Sequence, residues 1–157
     1  MYRNFLFLIY LFFVPVLIAD VLFENLTNTV KENFPSRYYG LAITDINNDG
    51  NFDLIVSNFE GTNFYYTIKD NFYIKNHINP LINEKTIGVA ACDIDEDGYE
   101  VYFLNTDTFG GLKRSNDNLI DYNRKKYIDI LSLEENLEQR NYYAGRSVGC
   151  IDKDGSG

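Results

Sequence analysis

Three stretches of the chain superimpose on their glycines: YGLAITDINNDG at 39–50, IGVAACDIDEDG at 87–98 and AGRSVGCIDKDG at 144–155. Each has a glycine, four mostly small or apolar residues, and then an oxygen-rich loop that closes in Asp-Gly. Gly40 and Gly88 are 48 residues apart, and Gly88 and Gly145 are 57 apart. Intervals of that size with one motif per unit are the mark of propeller blades or another repeat array. This constrains the fold more than composition does, because a repeated unit cannot bury its own apolar face and has to stack on the next.

The flanks of the loops specify what is stacked. LIVSN (54–58) and VYFLN (101–105) follow the first two loops, and LAIT (41–44) and VAAC (89–92) precede them. The two that follow the loops are short, rich in β-branched and aromatic residues, and apolar without alternation, which predicts strands buried on both faces, and the two that precede them are similarly small and apolar. NFYYTI (63–68), NFYIK (71–75), LIDYN (119–123) and KYIDI (126–130) read as the outer strands of the same units, their aromatic rings filling space between blades. LSLEENLEQ (131–139) has the leucine spacing and early acids of a short helix over a blade edge. The expected fold class is all-β: propeller blades over 39–157, two of them and the start of a third.

The loops carry the chemistry. Asp45, Asn47, Asp49 and Asp53 alternate around Gly50, and such oxygens converge only if the backbone curls tightly. A hard divalent cation needs that set, several oxygens at about 2.3 to 2.6 Å. Asp49-Gly50 is also a two-residue hairpin signal, so the loop taken alone reads either way; its recurrence favours the metal. An EF-hand is excluded, since position twelve, where a bidentate Glu is required, holds Val56 in one loop and Leu104 in the other. The second loop offers Asp93, Asp95 and Asp97, but Val101 stands where Asp53 stands in the first and Glu100 comes one residue early. Either a local bulge brings Glu100 in, or that site is one ligand short and weaker. The third loop has two registers, one with Cys150 in the first position, the other with Asp152, Asp154 and Ser156.

This pattern, followed by an apolar strand, resembles the FG-GAP (VCBS) repeat of integrin-α-like propellers. The stretch AGRSVGCIDKDGSG is most similar to the amino-terminal propeller of the cartilage acidic protein family. The resemblance runs from about Tyr39 to the last residue. It implies a secreted, Ca2+-binding protein of the extracellular matrix or cell surface that acts by binding other proteins. Carried over by position, it makes Asp45, Asn47, Asp49 and Asp53 side-chain ligands, with the Asn51 carbonyl. It does the same for Asp93, Asp95 and Asp97 with the Tyr99 carbonyl, leaves Glu100 in question, and adds Asp152 and Asp154.

The ends and the charge fit that setting. Arg3 and the apolar run from Phe5 to Ile18 read as a signal peptide over 1–19, too short for a bilayer span, with 20–38 as the mature amino-terminal segment. Asn25-Leu26-Thr27 is a glycosylation acceptor. The net charge is −9, and loss of Arg3 makes it one unit more negative, which argues against nucleic acid as partner. In an oxidising compartment Cys92 and Cys150 can pair across adjacent blades, or each can fill the space of a small apolar side chain. The only histidine, His77, reads as an exposed loop residue, and no catalytic triad, zinc cluster or phosphate loop is apparent. The chain stops in mid-motif, so a fragment of a longer propeller is expected. An accessory propeller of an extracellular enzyme is the alternative functional class.

Overall fold

A computed structural model describes residues 24–32, 34–78, 85–95, 100–151 and 153. The expected signal peptide, Asp97, Tyr99, Asp152 and Asp154 lie outside them. Eight strands form two antiparallel four-stranded meanders. The first holds β1 (Tyr38–Thr44), β2 (Asp53–Asn58), β3 (Phe64–Lys69) and β4 (Phe72–His77). The second holds β5 (Thr86–Cys92), β6 (Glu100–Asn105), β7 (Asn118–Asn123) and β8 (Lys126–Asp129). These are two propeller blades.

Local sequence sets the turns. Asp70 and Asn71, with φ of 51° and 63°, join β3 to β4; Arg124 and Lys125, with φ of 48° and 66°, join β7 to β8. Left-handed residues at both central positions make the two-residue turn whose twist matches the flanking strands. Asp-Asn suits it, whereas Arg-Lys occupies it because β7 and β8 on either side hold the register. Each blade also has a register irregularity at its motif glycine, between Tyr38 and Gly40 and between Thr86 and Gly88.

The blades stack through their innermost strands, β1 against β5. Ile46, Ile55, Tyr65, Ile78, Val89, Val101, Phe103 and Ile120 form one core between the sheets. Gly40 is required at the crossing: a Cβ there would lie 2.9 Å from Ser57 Oγ, 3.0 Å from the Val89 nitrogen and 3.1 Å from Val89 Cγ1. Aromatic rings fill the inter-blade space as expected, with Tyr65 and Tyr127 edge to face and the Tyr127 hydroxyl donating to Tyr65 Oη at 3.0 Å. A buried polar chain crosses beside them, Asn63 Nδ2 donating to Thr86 Oγ1 (2.7 Å) and Thr86 Oγ1 to Asn105 Oδ1 (2.6 Å).

Three readings need correction. β6 is buried on both faces, but β2 alternates buried and half-buried residues, because only one of its faces meets the second blade. The helix over 131–139 is two 3-10 helices, Ile130–Ser132 and Glu134–Gln139, separated by extended Leu133 (φ −67°, ψ 145°). Asp129 draws the first turn tight by accepting from the Leu131 nitrogen at 3.2 Å. His77 is exposed but ends β4, paired with Phe64, and is not in a loop.

Candidate metal centre

Both acidic loops join the first strand of a blade to its second, so the strand ladder positions their last acid. In the first blade Thr44 pairs with Asp53. In the second, Cys92 pairs with Glu100. Glu100 is therefore the counterpart of Asp53. The second loop spans 93–99 where the first spans 45–52, one residue fewer, and the longer glutamate side chain restores the reach. The pairing runs in register from Gly88–Leu104 to Cys92–Glu100, which puts Glu100 at the ladder position of Asp53.

In the first loop Asp45 organises the turn. Its Oδ1 accepts from the Asp49 nitrogen at 2.9 Å and its Oδ2 from the Gly50 nitrogen at 2.6 Å. Asp49 Oδ1 accepts from the Asn51 nitrogen at 2.9 Å and from Asn51 Nδ2 at 3.1 Å. Gly50 sits at φ 88°, a conformation that suits glycine. Ile46 turns inward and is 1 % exposed, pinning the loop to the core. Its counterpart Ile94 is 61 % exposed.

What remains is a set of buried oxygens with nothing to accept from. Asp53 is wholly buried, and neither of its carboxylate oxygens has a hydrogen-bond partner; Asn47 Oδ1 is also buried and without one. Burial, then the negative charges of Asp49 and Asp45, push the Asp53 carboxyl from 3.8 up to about 7, with the Ile46 amide pulling weakly the other way. The second loop repeats this. Asp93, Asp95 and Glu100 each offer a carboxylate oxygen, and the three lie within 4.8 Å of one another. Glu100 Oε2 accepts from the Ile94 nitrogen at 2.7 Å, but buried Oε1 has no partner. Burial raises the Glu100 pKa above its ordinary value, opposed by the Ile94 amide and assisted by Asp95 and Asp93. Like charges and orphaned oxygens at equivalent places in two loops are what a bound cation would satisfy. The residues present fit a hard divalent ion, all oxygen, charged and neutral together.

Of the remaining sequence-predicted residues, Asn25 is exposed, its Oδ1 accepting from the Thr27 nitrogen (3.0 Å) and hydroxyl (2.6 Å). Cys92 and Cys150 are joined as a disulfide with Cα atoms 6.1 Å apart, inside the span such a bridge allows. Val148 lies against Gly88 as Val89 lies against Gly40.

Sequence reasoning missed a second repeated device at the other end of the strands. Asn63 Oδ1 accepts from the Asn58 nitrogen at 2.7 Å, and Asp117 Oδ1 accepts from the Asn105 nitrogen at 2.8 Å. In the second blade this expands into a buried ion pair, Lys113 with Asp117, and Lys113 Nζ also donates to the Asn105 carbonyl at 2.8 Å. The signal available was the shared Asn at the ends of LIVSN and VYFLN.

Comparison with known proteins agrees with this geometry. Residues 45–103, from the first acid of loop one through the middle of β6, match the model of the FG-GAP-like repeat. The chain carries the FG-GAP-like repeat. It is 35% identical, in an alignment 177 positions long that takes in 96% of its length, to cartilage acidic protein 1 of Homo sapiens. To the proteins of that name from Xenopus tropicalis and Mus musculus it is 36% and 35% identical, over 88% of its length. It spans about a quarter of the length of these curated relatives (26%, 25% and 25%). The FG-GAP-like match covers both acidic loops.

Proposed function

We propose that this chain is part of a secreted, calcium-binding β-propeller module that acts through protein contacts outside the cell. The observation that carries the calcium reading is a pair of buried acids with unpartnered carboxylate oxygens, both of Asp53's and Oε1 of Glu100, at equivalent ladder positions. Calcium suits them because the donor sets are carboxylates and an amide on curled loops, without the nitrogen or sulfur that zinc prefers. Asp45, Asn47, Asp49 and Asp53 would hold one ion, with the Asn51 carbonyl. Asp93, Asp95 and Glu100 would hold another, joined by Asp97 and the Tyr99 carbonyl. The ion would neutralise each acidic loop and lock the first two strands of its blade together. The disulfide and the similarity to cartilage acidic protein 1 support an oxidising, extracellular setting.

Calorimetric titration of the full chain with calcium tests this. Two sites are expected, with dissociation constants on the order of 10⁻⁴ to 10⁻³ M as in other extracellular modules. Asp45→Ala and Asp93→Ala should each remove one. Sequence alone ranks the first site above the second; with Glu100 in place, the two losses should be comparable. Absence of saturable heat at millimolar calcium overturns the reading.

A further inference from the structure

Three of the chain's 14 basic residues converge on one cleft of about 450 Å³. Its walls include Arg37, Lys85 and Arg146 together with Tyr39, Phe59 and Phe109. Arg37, Tyr39 and Lys85 lie at the starts of β1 and β5, Phe59 and Phe109 follow β2 and β6, and Arg146 reaches Phe109 from the segment beyond Gln139. The acidic loops follow β1 and β5, so the cleft lies at the opposite end of the blades. A net negative chain has thus gathered positive charge on one end and carboxylates on the other.

The rings hold the cations in place. Lys85 Nζ lies 5.7 Å from the centroid of Phe59, and the Arg146 guanidinium 5.4 Å from that of Phe109, whose carbonyl also accepts a hydrogen bond from Arg146. Tyr39 meets Phe59 edge to face at 5.5 Å. Yet Phe109 is 92 % exposed and Tyr39 59 %, so large rings stand uncovered beside fixed positive charge. Arg37 is engaged by Glu60 at 3.0 Å, an exposed pair worth little and easily exchanged for another carboxylate. The acid on the wall, Asp107, has Oδ1 occupied by the Arg114 nitrogen at 3.1 Å.

The ligand class follows from what the walls lack. The Thr106 hydroxyl donates to the Thr108 carbonyl at 2.7 Å, and the Thr108 hydroxyl to the Gly110 carbonyl at 3.1 Å. Both are committed within the loop. With both threonine hydroxyls engaged, the cleft offers chiefly cations and ring faces, which match carboxylates beside an apolar side chain better than the dense hydroxyls of a glycan. We infer that it binds an acidic peptide segment in which an aromatic or large apolar side chain sits beside carboxylates. The carboxylates meet Arg37, Lys85 and Arg146, and the apolar side chain covers the exposed rings. This rests on the reading of the chain as a protein-contact module and narrows the partner's chemistry.

Fluorescence polarisation with a fluorescein-labelled octapeptide of alternating glutamate and phenylalanine, added to the full chain, is the test. Saturable binding is expected. It should weaken about tenfold with Phe109→Ala, which removes an aromatic anchor, and by a similar factor with Arg146→Glu. It should also weaken between about 0.05 M and 0.5 M NaCl, as the cations are screened. Both side chains are exposed, so the fold should survive, as circular dichroism would verify. No binding, variants that bind as tightly as the wild type, or preferential binding of a heparin oligosaccharide overturns the inference. A calcium titration of the same wild-type sample separates the two readings. Calcium heats without peptide binding overturn the cleft assignment alone, and loss of both overturns the module reading as well.

Discussion

Replacing Asp53 with Asn should stabilise the metal-free chain and weaken its response to calcium. Asp53 has no exposed surface and no donor for either oxygen, and it faces Asp45 and Asp49. The rise of its carboxyl from 3.8 to about 7, at about 1.4 kcal/mol per pH unit, sets a ceiling of about 4 kcal/mol on what the ionised side chain costs the metal-free fold. Asn keeps the shape and one acceptor, still buried, so a net gain of about 1 to 3 kcal/mol is expected. The sign with pH follows from the raised value. The wild-type fold binds the Asp53 proton more tightly than the unfolded chain does. Metal-free stability is therefore fully present below pH 4 and falls as pH rises toward 7. The variant's advantage should be full at about pH 8 and nearly absent at about pH 4. Calcium reverses the order. At about 10 mM, with a dissociation constant of 10⁻⁴ to 10⁻³ M, one site adds about 1.4 to 2.7 kcal/mol to the wild type, and most of that is lost in the variant. Scanning fluorimetry in chelator and in calcium reads both effects, at roughly 2 to 4 °C per kcal/mol for a chain of this size. Equal melting without metal at pH 8, together with an equal calcium shift, would refute the argument that Asp53 is a buried charge awaiting a cation.

Other perturbations separate packing from metal binding. Gly40→Ala should cost about 1 to 3 kcal/mol by forcing Val89 and the second blade outward. Gly88→Ala, whose new methyl would meet Leu104 and Val148 no closer than 3.5 Å, should cost much less, and urea unfolding distinguishes them. Glu100→Asp shortens the side chain that makes up for the missing loop residue, so calcium affinity at the second site should fall about tenfold in calorimetry while the first site is unchanged. Removing the 92–150 bridge, which closes a separation of 58 residues, should lower stability by about 2 to 4 kcal/mol in denaturant unfolding. Two alkylatable thiols in the denatured, unreduced protein would show that no bridge is there to lose.

The sequence by itself determined everything written in short-range spacing. The glycine-led motif announced a repeat, the apolar runs beside it announced strands, and the alternating oxygens of Asp45, Asn47, Asp49 and Asp53 announced a cation loop. Each signal is complete within about a dozen residues, and local chain geometry suffices to read it. Tertiary structure decided what depends on pairing across the sheet or between blades. Counting forward from Gly98, Val101 stands where Asp53 stands in the first loop. Ladder pairing runs from Cys92 across to Glu100, and strand register, not loop length, sets which residue is the counterpart of Asp53. The single short helix suggested by LSLEENLEQ gave way to two 3-10 helices, since Asp129 captures the first turn and Leu133 stays extended. The Cys92–Cys150 distance, the Asn63–Thr86–Asn105 chain and the cleft of Arg37, Lys85 and Arg146 all join residues brought together by one blade stacking on the next or by the segment that follows. Contacts at that separation leave no periodicity in a single sequence, because the stacking of whole sheets sets them and not the local chain.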